Sequence, residues 1–345
     1  MDLNVAIIGT GPDPSNPSRE GFAMGYRHAR AYRKLNDCII VACADIIEDH
    51  AEQFATEFDV EHVFTDHLEM VQTVAPDVVS ICTPPDTHAD LVIDTAQSGE
   101  VGAIHCEKPM ADTWKMAREM AQVAIDADVQ LTVNHQRRFG VPFQKAKTLL
   151  ENEAIGKLER IEISARNLYD TGSHLFDLAN FYTDQSPIEW VIGQIDYREE
   201  NRWFGTHNAN QGLVQWRYTN GVDGLAATGS GSQMIGAYLR LLGSEGAIEI
   251  GVENGPSLRM AENGGTGWRK VDTHGETIHG PSGASGFNRV AKVASQYIPQ
   301  VSSHRFTPDT PQYRALASVL EAYRNGGESQ LSATNSLQAA ETIFA

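Results

Sequence analysis

Lysine is scarce in this 345-residue sequence. Only 8 of the 27 basic residues are lysine, whereas 45 residues are acidic, and the formal net charge is -18. This balance argues against partners that need a basic surface, such as nucleic acid or an anionic membrane. An acid-rich, lysine-poor surface suits a salt-rich cytoplasm, where ions screen self-repulsion. An ordinary acidic enzyme would show the same composition, so both interpretations stay open.

Cysteines and long apolar runs are also few. The cysteines, all in the first third of the chain, are Cys38, Cys43, Cys82 and Cys106. They lack the spacing of a metal site, so we expect buried, reduced thiols and no metal. No apolar run approaches the roughly 18 residues of a membrane span. The chain opens directly on a strand without a basic and apolar leader, which predicts a cytoplasmic protein.

The sequence does contain a regular alternation of strands and helices over residues 1–134. Apolar runs typical of buried strands lie at Asn4–Ile8, Ile39–Ala44, Val78–Cys82, Val101–Cys106 and Val129–Val133. Helical patterns, of which Met110–Ala127 is the clearest, separate these runs. Strands that alternate with helices predict an α/β domain with a doubly wound parallel sheet. The motifs at its strand ends indicate an NAD(P)-binding Rossmann domain.

The pattern changes over residues 135–345. Alternating, strand-like segments lie at Leu158–Ala165, Trp190–Tyr197, Gln211–Tyr218, Gly224–Gly229, Tyr238–Leu242 and Gly246–Gly251. Helical patterns lie at Pro142–Glu153, Asp170–Phe181, Pro311–Asn325 and Ala333–Phe344. We expect Gly251–Gly286 to be irregular, because it is rich in glycine. The second domain is therefore predicted to be α+β with a large, mostly antiparallel open sheet, and its last helices have the option of packing back on the first domain.

The first strand ends in Gly9-Thr10-Gly11, which opens a dinucleotide-binding fingerprint. Glycines there let the backbone approach a pyrophosphate at a helix N-terminus. We interpret Pro12–Ala23 as an insertion of unassigned role and Gly25 as the displaced third glycine. Asp45, at the end of the second strand, is expected to bind the adenosine ribose and repel a 2'-phosphate, which favours NAD over NADP. Random turn glycines and a helix N-cap at Asp45 are the alternatives.

The run Val101–Cys106 ends in Glu107-Lys108-Pro109, after which a helical pattern begins. In an open parallel sheet, ligands bind at the carboxyl ends of the strands. A carboxylate and an ammonium at such an end are therefore expected at the rim of a cleft. The proline removes one backbone donor and restricts the turn. A surface Glu–Lys pair that happens to precede a helix is the alternative.

Asp170 and His174 are four residues apart, so a helix that includes both places them on one face. A histidine beside a carboxylate, together with a lysine, forms a reasonable proton-transfer set for the oxidation of an alcohol. Alternatively, Asp170 is a helix N-cap, and His174 is a core histidine satisfied by Asp177.

Several groups of residues, in this order along the chain, resemble the glucose–fructose oxidoreductase / inositol dehydrogenase / MocA (Gfo/Idh/MocA) oxidoreductase family. They are Gly9-Thr10-Gly11 with Met24–Ala29, Cys82–Pro85 with His88, Cys106–Pro109, Arg137–Phe139, and Leu168–His174 with Asp177 and Leu178. The resemblance is distinctive up to about residue 184. The insertion after Gly11 departs from the family's pattern.

The resemblance implies specific roles for individual residues. Lys108 would be the catalytic lysine that polarises the reacting hydroxyl or relays its proton, and Asp170 and His174 would form the substrate-binding and acid/base pair. Cofactor contacts are implied for Gly9, Thr10, Gly11, Gly25, Asp45, Thr83, Pro84, His88, Glu107, Lys108 and Arg138. The family's open sheet often forms an oligomer interface, so we expect a homo-oligomer, either a dimer or a tetramer.

The resulting prediction is an NAD(P)-dependent dehydrogenase that moves a hydride between nicotinamide and a hydroxyl of a sugar, sugar derivative or cyclitol bound between the domains. A redox-neutral, glycosidase- or lyase-like enzyme with tightly bound NAD is one alternative, and it would release no net NADH. A non-catalytic dinucleotide-binding sensor is another, which the intact set of Lys108, Asp170 and His174 disfavours.

Overall fold

The computed structural model describes residues 2–12, 23–262, 267–281 and 309–345. They form two compact units, which are described in turn. The first contains the described residues up to 134 together with 309–334, and the second contains 135–281 and 335–345. Most of the predicted insertion Pro12–Ala23 lies outside the described residues.

The first unit contains a six-stranded sheet in the order β3-β2-β1-β4-β5-β6, with every neighbouring pair parallel. Its strands are β1 (Leu3–Ile8), β2 (Cys38–Ala44), β3 (His62–Phe64), β4 (Val78–Ile81), β5 (Ala103–Cys106) and β6 (Gln130–Val133). The helices are α1 (Met24–Tyr32), α2 (Glu48–Phe58), α3 (His67–Val74), α4 (Pro85–Gln97) and α5 (Trp114–Asp126). β4 and β5 are fully buried, as near-continuous apolar runs require in a sheet covered on both faces. The strand order is that of a Rossmann fold.

One helix from the C-terminal part of the chain belongs to this first unit. Helix α8 (Pro311–Asn325) packs Leu316 and Leu320 into the same core as Tyr32 of α1. Its Val319 carbonyl accepts a hydrogen bond of 3.3 Å from the side chain of Gln130 at the start of β6. Thr310 caps the helix by accepting from the backbone N–H of Tyr313.

The second unit contains an eight-stranded sheet in the order β16-β15-β14-β13-β7-β12-β11-β8. Its strands are β7 (Leu158–Ala165), β8 (Ile188–Asp196), β11 (Gln211–Tyr218), β12 (Asp223–Gly229), β13 (Ala237–Gly243), β14 (Gly246–Val252), β15 (Leu258–Glu262) and β16 (Arg269–Lys270). Only the β7–β12 pair among these is parallel. Two short hairpins lie outside this sheet, β9 (Arg202–Trp203) with β10 (Thr206–His207) and β17 (Glu276–Thr277) with β18 (Gly280–Pro281). The predicted fold class is confirmed.

Helices cover one face of the large sheet. They include α6 (Val141–Glu151) and α7 (Asp170–Tyr182), while α9 (Ala333–Phe344) closes the chain. The core includes Phe176 of α7, whose ring centroid lies 5.3 Å from that of Trp216 on β11. The expectation that Gly251–Gly286 is irregular was wrong for its described part, since β15 to β18 lie there. These strands are short and interrupted by glycines, so they leave no periodic pattern in the sequence.

On the opposite face of this sheet, charged side chains of alternating sign stand directly across from one another. Glu162, Arg240, Glu249 and Arg259 are cross-strand partners on β7, β13, β14 and β15. Arg240 donates to Glu162 at 3.0 Å and to Glu249 at 2.7 Å, and Arg259 donates to Glu249 at 2.6 Å. Farther along the sheet, the same face exposes Ile192 of β8 and Leu213 of β11.

In the described part of the chain, no helix is long and apolar enough to cross a membrane. The described residues also contain no cluster of histidine, cysteine and acidic side chains that could hold a metal ion.

Candidate active site

The glycine loop after β1 is closely packed against its neighbours. Gly9 has a φ of +83°, and a Cβ atom there would lie 2.5 Å from the methyl carbon of Thr83. A Cβ atom on Gly25, in the first turn of α1, would lie 2.8 Å from the carbonyl oxygen of Gly9. Both positions therefore require glycine, for backbone conformation and for close approach. Gly25 lies where the displaced third glycine of the fingerprint is expected.

This loop has the form that a pyrophosphate needs. Gly11 has a φ of +63°, and a Cβ atom there would meet no neighbour among the described residues. The N-cap residue of α1 is Ala23, whose side chain does not accept a hydrogen bond from the first turn of the helix. Free N–H groups at a helix start attract phosphate, and a glycine loop lets phosphate come close. These residues therefore fit a dinucleotide.

Asp45 lies immediately after β2, beside this loop. Its Oδ2 accepts from the backbone N–H of Gly11 at 2.8 Å and from the hydroxyl of Thr10 at 3.1 Å, and its Oδ1 accepts from the backbone N–H of Ile47 at 3.0 Å. The N-cap of α2 is Ile47, so the alternative of Asp45 as that N-cap is wrong. A carboxylate has about four acceptor sites, so Asp45 retains acceptor capacity for a ribose hydroxyl.

His88 joins the segments that follow β4 and β5. It is fully buried on α4, and its ring nitrogens lie 2.9 Å from the Thr83 carbonyl oxygen and 2.8 Å from the Pro109 carbonyl oxygen. Burial lowers the pKa of His88, and these hydrogen bonds and the charge of Glu107 only partly offset it. Thr83 and Pro84 form the short turn between β4 and α4. The imidazole therefore holds two loops at the carboxyl edge of the sheet in a fixed relation.

Glu107 is a buried carboxylate at the end of β5, 4% exposed. It accepts from Nε2 of His28 at 2.8 Å and from the side-chain amide of Asn134 at 2.5 Å. Burial alone would raise the pKa of Glu107, but the hydrogen bonds from His28 and Asn134 and the charge of Lys108 lower it to about 2. Glu107 is therefore an ionised carboxylate in the interior.

The hydrogen bonds continue on both sides of this carboxylate. Nδ1 of His28 lies 3.2 Å from the hydroxyl of Ser80 on β4, which in turn lies 2.8 Å from the hydroxyl of Tyr32. On the other side, the Asn134 amide donates to Gln312 of α8 at 2.8 Å. The network thus joins α1, β4, the ends of β5 and β6, and α8. Two atoms of this network, Oδ1 of Asn134 and Nε2 of Gln312, are buried without a hydrogen-bond partner among the described residues.

Lys108 follows this carboxylate directly. Its backbone N–H donates to Oε2 of Glu107 at 3.2 Å, and its peptide bond to Pro109 is cis. Because His88 contacts the Pro109 carbonyl oxygen, the backbone is fixed on both sides of Lys108. The side chain is half-buried at the carboxyl edge of the parallel sheet, where ligands of this fold bind.

Asp170 and His174 lie in the second unit, one turn apart on α7, as their spacing predicts. The N-cap of α7 is Tyr169, and Asn167 accepts from the backbone N–H of Thr171 at 2.6 Å, so Asp170 is not the N-cap. His174 is buried, and its ring centroid lies 5.7 Å from that of His135 in an edge-on contact. α7 therefore presents a carboxylate and an imidazole on the same face.

The neighbouring carboxylate, Asp177, is occupied by Arg138. The guanidinium donates to Oδ2 and Oδ1 of Asp177 at 2.7 Å each, and both side chains are 2% exposed. This pair fills two of the acceptor sites of Asp177 and fixes the guanidinium of Arg138 in place. The contact of Arg138 with the cofactor stays a prediction.

Sequence reasoning missed two residues of the network around Glu107, His28 and Ser80. Ser80 is a polar residue within the apolar run Val78–Cys82, which is a signal that could have identified it. His28 lies among the arginines of α1 and has no such signal.

Comparisons with known proteins agree with this architecture. The Gfo/Idh/MocA family model, described as an oxidoreductase family with an NAD-binding Rossmann fold, matches residues 3–135. The inositol 2-dehydrogenase of Rhizobium meliloti is 31% identical over 180 residues, which are 48% of this chain and 53% of that protein. The chain thus spans about half the length of that relative. The D-glucoside 3-dehydrogenase of Escherichia coli is 30% identical over 257 residues, 63% of this chain and 70% of that protein.

A solved structure shares the whole fold. The myo-inositol 2-dehydrogenase of Lactobacillus plantarum superposes with a TM-score of 0.69 at 18% identity, covering 99% of this chain and 95% of the other. At that identity the likeness shows the fold alone. The family model and the Escherichia coli relative, of whose length this chain covers 70%, confirm the resemblance of the motifs. The chain belongs to the Gfo/Idh/MocA family of oxidoreductases.

Proposed function

We propose that this protein is an NAD-dependent dehydrogenase that oxidises a secondary hydroxyl of a sugar, sugar derivative or cyclitol. The observation that carries the proposal is the carboxyl edge of the parallel sheet, where the glycine loop lies in the same unit as Lys108 and its buried Glu107. The relatives named above act on inositol and on D-glucosides. The activities of these relatives favour a dehydrogenase over a redox-neutral enzyme and over a non-catalytic dinucleotide-binding sensor.

The cofactor-binding residues follow from the glycine loop. The loop from Gly9 to Gly11 and the start of α1 at Gly25 would hold the pyrophosphate, and Asp45 would bind the adenosine ribose. Thr83, Pro84, His88 and Glu107 would line the rest of the cofactor site from the carboxyl ends of β4 and β5. When bound, NAD accepts the hydride from the carbinol carbon of the substrate.

The remaining chemistry is the removal of the hydroxyl proton. Lys108 donates a hydrogen bond to the substrate oxygen and stabilises the charge that develops there as the C–H bond breaks. His174, with Asp170 one turn before it, accepts the proton as the carbonyl forms. Microscopic reversibility makes the same groups supply the proton when the reaction runs as a reduction.

The experiment is initial-rate NADH formation on a panel of aldoses, sugar acids and inositols, at low and at molar salt. Lys108→Met is expected to lower kcat by about 100-fold or more, in line with the loss of a general acid–base or electrostatic group. Lys115→Met, on an exposed position of α5, is the matched control and should leave the rate unchanged. Equal rates for both variants would remove Lys108 from the mechanism.

Asp45 carries the proposed preference for NAD over NADP. Asp45→Ala should weaken NAD binding more than NADP binding, because it removes both a ribose acceptor and the charge that repels a 2'-phosphate. Cofactor affinities can be compared by fluorescence titration of NADH and NADPH. Unchanged NADH affinity would show that the ribose lies elsewhere.

The open face of the large sheet is the proposed contact with further copies of the chain. Ile192 and Leu213 are 67% and 40% exposed, and they lie beside the ladder of alternating charges from Glu162 to Arg259. Apolar side chains exposed on an ordered sheet favour association. We propose a homo-oligomer in the cytoplasm, and Leu213→Arg should shift it toward monomer in sedimentation velocity.

A further inference from the structure

Two adjacent arginines in the 3-10 turn Gln136–Phe139 have opposite environments. Arg138 is buried, and its guanidinium is matched by the carboxylate of Asp177. Arg137 is half-buried, and its Nη1 atom is closed off from solvent without a hydrogen-bond partner among the described residues. A buried donor without a protein partner is costly, so such a group needs a water, an ion or a ligand as its partner.

The contact that Arg137 makes with Tyr238 does not use the N–H donors of its guanidinium. Its guanidinium carbon lies 4.9 Å from the ring centroid of Tyr238 on β13. A cation over an aromatic face is stabilised by the ring, but the N–H groups of guanidinium point outward in its own plane. Those in-plane donors form the fork that matches a carboxylate.

Two titratable side chains, Asp170 and His279, interact electrostatically with Arg137. Burial lowers the pKa of Arg137 to about 10, against the opposing influence of the Asp170 carboxylate. On another side, burial and the positive charge of Arg137 together lower the pKa of His279. The guanidinium therefore lies within electrostatic reach of Asp170, the first residue of the proposed proton-transfer pair.

The second unit also has room for a ligand near this arginine. Tyr238 and His279, which both interact with Arg137, line a groove of about 500 Å³. Arg137 itself is not among the lining residues, and Glu253 is the acidic residue of the lining. The groove is also lined by Ser232, Ser257 and Thr277, whose side chains carry hydroxyl groups. Its volume falls within the range of small-molecule sites.

We propose that Arg137 binds a carboxylate of the substrate, so that this enzyme prefers an acidic sugar, such as a uronic or aldonic acid, over a neutral one. The proposal rests on the dehydrogenase function proposed above, and it makes Arg137 the residue that selects the substrate. A neutral sugar could accept hydrogen bonds from the guanidinium but would bring no negative charge to it, so it would bind less tightly than a sugar acid.

The test measures binding and turnover separately. Isothermal titration of the NADH-loaded protein with D-glucuronate and D-glucose, and with D-galacturonate and D-galactose, compares sugars that differ at one carbon. Turnover is measured with the same four sugars as NADH formation. The variants are Arg137→Met, Arg137→Lys and, as control, Arg118→Met on an exposed position of α5. Melting temperatures show whether each variant is folded.

The expected result is that an acid binds about 10- to 100-fold more tightly than its neutral counterpart, the range that one charge-assisted contact supplies. Arg137→Met should abolish that difference, Arg137→Lys should keep part of it, and Arg118→Met should keep all of it. Equal affinity for acid and neutral sugar, equal losses for both in Arg137→Met, or no binding of any acid would overturn the proposal. Turnover of neutral sugars alone would overturn the proposed role of Arg137 but would support the dehydrogenase function. Acid binding through Arg137 without NADH formation would support the role of Arg137 but would contradict the dehydrogenase function.

Discussion

The buried carboxylate of Glu107 makes a large and measurable contribution to stability. Its pKa is about 2 in the folded protein, against an ordinary value of 4.5. A difference of about 2.5 pKa units corresponds to ~3 kcal/mol of unfolding free energy, at 1.36 kcal/mol per unit. Because the folded pKa is depressed, this contribution is fully present above pH 4.5 and is lost as the pH falls toward 2.

Glu107→Gln tests that magnitude with almost no change of shape. With its amide oxygen toward His28, the variant keeps that acceptor but turns an NH2 group toward the backbone N–H of Lys108. In the opposite orientation, the NH2 group faces the donors of His28 and Asn134 instead. We expect a loss of about 3 kcal/mol at pH 7, within the range for breaking a buried charged pair. The loss should shrink as the pH falls from about 4.5 to 2.

The assay is urea unfolding of wild type and variant at pH values from 7 down to 3, followed by circular dichroism. Glu119→Gln on the exposed side of α5 is the matched control and should change stability by less than about 0.5 kcal/mol. A loss below about 1 kcal/mol for Glu107→Gln, or one that is independent of pH, would refute the assignment of a low pKa to this carboxylate.

Three further predictions follow from single features. Asp177→Asn should lower stability by about 3–5 kcal/mol, because it leaves the buried Arg138 charge without its partner, and thermal unfolding measures this loss. Gly9→Ala should lower the free energy of unfolding by more than about 1 kcal/mol, since the φ of +83° and the contact with Thr83 exclude a Cβ atom. It should also weaken NADH binding, which fluorescence titration measures. Burial raises the pKa of the Cys43 thiol to about 12, and it also raises the pKa of the Cys82 and Cys106 thiols. None of the three should therefore react with iodoacetamide at pH 8 until the protein is unfolded, and mass spectrometry can follow the reaction.

The outline of the fold could be predicted because apolar residues recur with a clear periodicity in most of the long helices and strands. Gln211–Tyr218, Leu158–Ala165 and the helices Pro311–Asn325 and Ala333–Phe344 have the bounds that their patterns predicted. Helix starts were less accurate. The helix predicted at Met110–Ala127 begins at Trp114, because the side chain of Thr113 caps it by accepting from the backbone N–H of Met116.

For the candidate site, the positions that could be predicted are those that depend on neighbours in the chain. The glycine loop, Asp45, the Glu107–Lys108 pair and the Asp170–His174 turn all belong to this group. Partners that are distant in the chain could not be predicted. His28 lies 79 residues from Glu107 and Arg138 lies 39 residues from Asp177, and only the folded chain brings each pair together.

The most direct test of the dehydrogenase follows a single hydrogen atom. The best substrate of the panel, labelled with deuterium at its reacting carbon, is incubated with the protein and NAD, and both products are examined by NMR. The account predicts deuterium at C4 of NADH and an equal amount of the carbonyl product. Deuterium that remains on, or returns to, the sugar without net NADH would contradict it and identify a redox-neutral enzyme.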